Sequence, residues 1–226
     1  MPERVTTANG YEITNPTEKL SAQEYRAVLA QEYGIDGASP QERITQLKQL
    51  SNEGIAIFME YINKGVQGSE YSLINESTTF IGNVTTIRPE NRYEVFTDMI
   101  ASIREAPDTV NPARVADVLA LGVVLLHPFR DGNGRTARII GLTFRDDFDE
   151  VRYTDMYNTA SESRDTVRQR GGYMINGYAP NFPEGFDQSD PAAVTEYLRR
   201  LLWEDSPGAY TSCFDQPPLE NPQSVF

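Results

Sequence analysis

The chain has 226 residues, 33 of them acidic and 20 basic, for a formal net charge of −13 and a pI near 4.5. That balance excludes nucleic acid or an anionic membrane as the main partner, and the length fits one domain with a substantial core. One cysteine, Cys213, and one histidine exclude an internal disulfide and a Cys/His zinc cluster.

In chain order, residues 1–20 read as an irregular lead-in without the apolar stretch of a signal peptide. Ser21 and Glu24 have capping-box spacing and open a helix with Tyr25, Val28, Leu29 and Tyr33 on one face, ended by Gly34. Ser39, Pro40 and Glu42 start a second helix more clearly. Its apolar positions, Ile44, Leu47, Leu50, Ile55, Phe58 and Ile62, predict one long helix weakened at Gly54 and ended by Lys64-Gly65. Two β-branched runs, Thr78–Ile81 and Val84–Ile87, flank Gly82-Asn83 and predict a hairpin.

Pro89–Arg104 predicts a third helix with Val95, Phe96, Met99, Ile100 and Ile103 inward. Asn111-Pro112 caps a fourth, whose stretch from Val115 to Leu126 is apolar on nearly all sides and belongs at the centre of a bundle. Another helix follows residue 134, with Ile139, Ile140 and Leu142 inward and Arg135 and Arg138 outward. A polar helix is expected over 154–170 and a loop over Tyr173–Ser189. Asp190-Pro191 caps a last helix with Val194, Tyr197, Leu198, Leu201 and Leu202 inward, and an extended tail begins at Asp205. The fold class is mostly α: a helical domain over 21–205 with a short β-hairpin, an N-terminal lead-in and a tail over 206–226. No run is long enough to span a membrane, so the cytoplasm is the expected location, with export as an effector left open.

Between the two most apolar helices lies His127-Pro128-Phe129-Arg130-Asp131-Gly132-Asn133-Gly134-Arg135-Thr136-Ala137-Arg138. Gly132 and Gly134 let the backbone turn tightly and approach a ligand. The N–H groups that start the next helix favour an anion, above all a phosphate. Arg135 and Arg138, three apart, can each grip phosphate oxygens in a bidentate fork. Asp131 offers a hard oxygen suited to Mg²⁺. His127 is the natural general base, although a helix C-terminus would favour its protonated form. The three lysines, Lys19, Lys48 and Lys64, all precede the hairpin, and no GxxxxGK(S/T) string occurs. A lysine-dependent P-loop mechanism is therefore excluded for this region.

The stretch resembles the signature of the Fic family, His-Pro-Phe-x-(Asp/Glu)-Gly-Asn-Gly-Arg-x-x-Arg, at every specified position. A chance match in a chain this long is on the order of 10⁻⁹. The resemblance implies a Fic-type helical bundle that transfers AMP from ATP to a Tyr, Ser or Thr hydroxyl of a target protein. It implies that His127 is the base and that Asp131 holds Mg²⁺. It further implies that Gly132, Asn133 and Gly134 line an anion hole, that Arg135 and Arg138 hold the β- and γ-phosphates, and that Phe129 anchors the loop. The hairpin looks like the family's flap, about 72–88, with Phe80, Ile81, Gly82, Asn83 and Val84 docking the target by strand addition. The family's inhibitory motif, (Ser/Thr)-x-x-x-Glu-(Gly/Asn), has only a near match at Ser72–Ser77, where Ser77 replaces Gly or Asn. It sits against the flap and reads as coincidence, so inhibition would come from a separate antitoxin-like partner.

Two rivals stand beside this reading. A Doc-like relative phosphorylates its target with ATP bound in reverse; that branch lacks the second arginine, so Arg138 favours AMP transfer. The loop alone does not distinguish transfer of UMP or phosphocholine. The other rival is a non-catalytic ATP-binding module, against which the intact His127 stands.

Overall fold

Four helix starts among the described residues, at Pro40, Asn52, Pro112 and Pro191, are set by side chains that cap the first turn, whereas the helix that begins at Pro89 has none. A computed structural model describes residues 4–6, 12–14, 22–67, 80–81, 84–85, 87–145, 178–180, 182–204 and 210–212. Its helices are α1 (Ala22–Tyr33), α2 (Pro40–Gln49), α3 (Asn52–Gln67), α4 (Pro89–Glu105), α5 (Pro112–Leu126), α6 (Asn133–Arg145) and α7 (Pro191–Trp203). Ser39 and Glu42 form the full reciprocal capping box of α2, at 3.2 and 3.0 Å. Asn111 accepts from the Ala113 N–H at the start of α5, and Asp190 from the Ala192 N–H at the start of α7. Each cap stabilises its helix by about 1 kcal/mol.

The expected single helix over 39–65 is two. Ser51 accepts a bond from the Gly54 N–H and starts a new helix there, while Leu50 leaves α2 in an extended conformation. Gly54 therefore lies in a capped first turn, and α3 continues to Gln67, past the expected stop at Lys64-Gly65.

The strands are short antiparallel pairs: β1 (Arg4–Thr6) with β2 (Glu12–Thr14), β3 (Phe80–Ile81) with β4 (Val84–Thr85), and β5 (Tyr178–Pro180) with β6 (Tyr210–Ser212). The first pair lies in the segment read as irregular. The third joins the segment read as a loop to the tail, in the register Tyr178↔Ser212. That pairing spans more than thirty residues, beyond the reach of local patterning. In the region of the proposed flap, Phe80 faces Thr85 and Ile81 faces Val84 across the ladder. Gly82 and Asn83, the near match at Ser72–Ser77, the Ser21 cap and the expected helix over 154–170 lie outside the described residues.

α5 is the central rod. Every residue from Val115 to Leu126 is buried, as its all-round apolar sequence requires. Its most extensive partner is α6, antiparallel across the 127–132 turn. α2, α4 and α7 cover its other faces, and α3 packs on α6. Gly122 permits the close approach of α4: a Cβ there would collide with Met99 Sδ. Edge-to-face contacts of Phe58 with Tyr33 and with Phe144 tie α1, α3 and α6 together. The fold thus holds the turn between α5 and α6 on two buried helices.

Candidate active site

α5 ends at His127, which takes a left-handed conformation, φ 49° and ψ 51°, and gives its N–H to the Val123 carbonyl at 3.1 Å. It is the one non-glycine residue with positive φ among the described residues. Such a conformation costs roughly 1–2 kcal/mol, and Pro128 prevents the helix from continuing. Phe129 follows, fully buried, as expected of an anchor. Arg130 and Asp131 then emerge to solvent, and Gly132, at φ 77°, turns the chain into α6.

The turn is closed by Asn133, whose carboxamide accepts from the Phe129 N–H at 3.0 Å and donates to the Phe129 carbonyl at 2.8 Å. This refines the sequence expectation for Asn133. Its side chain is committed to the loop's own backbone, which leaves its peptide N–H for an anion. The first intrahelical bond of α6 runs from the Thr136 N–H to the Gly132 carbonyl at 2.8 Å. The N–H groups of Asn133 and Gly134 come earlier and have no acceptor within the helix. They form the positive end of the α6 dipole beside Asp131.

Asp131 is two-thirds exposed at its side chain. Its Oδ1 accepts from the Gly132 N–H at 2.6 Å, and its Oδ2 lies 3.5 Å from Arg135 Nη2. An exposed i,i+4 pair of that length is weak, so the carboxylate could exchange it for a cation. Among the described residues no three His, Cys, Asp or Glu side chains come together. A magnesium ion held by Asp131 would therefore draw its remaining ligands from phosphate and water, the usual arrangement for that ion. The donor set fits Mg²⁺ with a bound phosphate.

The structure separates the two arginines that the sequence placed together on an outer face. Arg135 is partly exposed beside Asp131, but Arg138 is buried, with only 6% of its surface exposed. The correction is geometric: α6 is packed by both α5 and α3, and its face at 138 turns inward with Asn133 and Ala137.

The charge state of His127 is a contest between opposing causes. Burial is the largest and lowers its pKa. The Arg92 guanidinium lowers it further, while the Val124 carbonyl and Asp131 oppose. Burial outweighs the helix-end effect anticipated from sequence, so the ring is held neutral more readily than a free imidazole. Nδ1 is buried and makes no full hydrogen bond among the described residues, while the ring feels the Val124 carbonyl as an acceptor. That favours the tautomer protonated at Nδ1, with the Nε2 lone pair as the acceptor.

Two contributors escaped the sequence reading. Asn63 of α3 is fully buried and donates to the Asp131 carbonyl at 2.8 Å and to Thr136 Oγ1 at 3.1 Å. Arg92 of α4 is almost fully buried and donates from Nε to the Ile87 carbonyl at 3.1 Å, just beyond β4. Both interrupt apolar stripes at helical spacing: Asn63 lies one turn after Met59, and Arg92 one turn before Val95 and Phe96. A polar side chain on a buried stripe must find a partner, and that was the available signal.

Residues 59–144 match the family model described as Fic/DOC family. The matched segment is under half of the chain. It runs from α3 through α6 and so contains the whole turn, Asn63 and Arg92. The chain is also 30% identical over 140 residues to "Protein adenylyltransferase fic-1" of Caenorhabditis elegans, and equally to the protein of that name from Caenorhabditis briggsae. In each case the match covers 54% of this chain and 28% of the relative. The chain thus spans less than a third of the length of these relatives. Helices α2 and α7, which lie outside the matched segment, pack on its core.

Proposed function

We propose that this protein transfers AMP from ATP to a hydroxyl group of a target protein. The observation that carries the reading is a histidine held neutral by burial, followed within one turn of chain by an exposed carboxylate and an open helix N-terminus. The match to the Fic/DOC family and the likeness to two proteins named adenylyltransferases support it.

In this reading Nε2 of His127 takes the proton from the target hydroxyl as that oxygen attacks the α-phosphorus. The new bond is phosphorus to target oxygen. The bond that breaks joins the α-phosphorus to the bridging oxygen, and pyrophosphate leaves with that electron pair. The Gly134 N–H group and the Arg135 side chain meet phosphate charge at the start of α6. Arg138, one turn further along α6, is the second cation in this reading. Mg²⁺, held by Asp131, would supply neutralisation of the polyphosphate. The β3–β4 ladder is the candidate docking edge for the target. Strand addition there would hold a segment through its backbone, whatever its side chains. Inhibition by a separate antitoxin-like partner belongs to the same proposal.

The test is incorporation of label from ATP into protein in a lysate, with α- and γ-phosphate labels compared and the labelled band weighed by mass spectrometry. Retention of the α-label alone and a gain of one AMP are expected. Retention of the γ-label alone would replace the reading with phosphoryl transfer.

A further inference from the structure

The turn has a fixing point outside its own sequence. Asn63 is separated from the two groups it binds by 68 and 73 residues. Both bonds are donated by the same Nδ2: one to the carbonyl of Asp131, the other to the hydroxyl of Thr136. These acceptors bracket the reversal through Gly132, one just before α6 and the other in its first turn. The Asn63 side chain is completely buried, and its Oδ1 has no hydrogen-bond partner among the described residues. The amide orientation is therefore set by the two acceptors, and no solvent can substitute for it freely.

We infer that Asn63 is a positioning residue that aims the Asp131 carboxylate and the leading N–H groups of α6 at a metal-bound phosphate. The inference rests on the proposed nucleotide site and deepens it. The Asp131–Gly132 peptide carries both the carbonyl that Asn63 holds and the N–H that binds Asp131 Oδ1. Fixing one end of that peptide plane fixes the other, and with it the direction of the carboxylate. The bond to Thr136 holds the first turn of α6 against the same point. No group on Asn63 touches the reacting atoms, so its effect is on geometry at the metal and phosphates, not on proton removal by His127.

The chemistry discriminates among replacements. Asn63→Ala removes both bonds. Asn63→Asp keeps the shape but, ionised, has no donor and sets a carboxylate against the Asp131 carbonyl. Thr136→Val removes one acceptor with little change of volume. Outer partners that orient a metal ligand typically contribute roughly 10- to 100-fold in metal affinity.

The test is calorimetric titration of the full chain with MgATP, and separately with ATP in excess EDTA, for wild type, Asn63→Ala and Thr136→Val. Thermal unfolding is measured on the same samples. Asn63→Ala should weaken MgATP binding at least about tenfold and metal-free ATP binding much less. Thr136→Val should follow in the same direction to a smaller extent. In turnover assays the acidic limb of the pH profile should stay where it is in wild type, because His127 is untouched. Equal losses for MgATP and metal-free ATP, or unchanged binding with only a lower melting temperature, would overturn the positioning role. If Asn63→Ala does not fold, Thr136→Val alone decides on the same criterion. Wild-type protein that binds no MgATP would instead bring down the nucleotide reading, and this inference with it.

Discussion

His127 carries the sharpest expectation. Replacing it with alanine should lower label transfer by roughly 10²–10⁴-fold while leaving MgATP affinity near wild type, because in the proposed site α6, not His127, would meet the polyphosphate. Unchanged transfer would remove the general-base role. Its lowered pKa also fixes the direction of the pH response. The unperturbed imidazole titrates near 6.5 and the folded one below it. The base therefore stays deprotonated on acidification past 6.5, and the acidic limb of kcat/KM should have its midpoint below that value. The same shift makes protonation favour the unfolded chain. Its contribution to stability is present above 6.5 and is lost as pH falls toward the folded pKa, which denaturant titrations of wild type and His127→Gln would reveal as a stability difference that changes with pH only in that window. At this scale the motif made the outward-facing chemistry legible. Apart from Phe129, it did not reveal which side chains point inward. Asn133 is spent on the Phe129 backbone, Arg138 is buried and Asn63 reaches in from another helix. These follow from packing across elements, which residue type alone does not encode.

Elements were most legible where a cap is written in the chain. Ser39, Asn111 and Asp190 each start the helix they were expected to start. The one long helix that became two shows the limit. Apolar spacing continued through Leu50 and Ile55, but the Ser51 hydroxyl offers the Gly54 N–H a local bond that ends one helix and begins another. The pairing of α5 with α6 adds a contact that spacing could not show. Arg145, in the last turn of α6, bonds to Asp117, in the second turn of α5. Asp117 is 2% exposed at its side chain and Arg145 16%. Replacing Arg145 by methionine leaves the more buried partner charged, and should cost about 3–5 kcal/mol. Asp117→Leu combined with Arg145→Met should recover most of that loss. A double variant no more stable than Arg145→Met alone would show that the pair is not what holds these ends together. Urea unfolding of the three proteins reads the difference directly.

Across the whole molecule, the stretch that carries the family likeness is not the stretch that buries its own core. Residues 59–144 contain the turn, His127, Arg135 and Arg138. Yet α2 packs on α4, α5 and α6 from one side, and α7 on α4 and α5 from another. Leu47, Val194, Leu198, Leu201 and Leu202, all outside the matched segment, are each at most 4% exposed. At about 1.5–3 kcal/mol per buried side chain, removing these five forfeits roughly 8–15 kcal/mol. That is comparable to the whole stability of an ordinary domain, about 5–15 kcal/mol. A fragment of residues 59–144 should therefore show no cooperative unfolding transition, whereas residues 22–204 should unfold in one step. The comparison also separates the site from its support. With His127, Asp131 and Arg135 all present in the short fragment, failure to bind MgATP alongside loss of the transition would place the requirement in the packing of α2 and α7. A short fragment that melts sharply and binds MgATP as the full chain does would show instead that α3 to α6 suffice, and that the outer helices serve something other than the site.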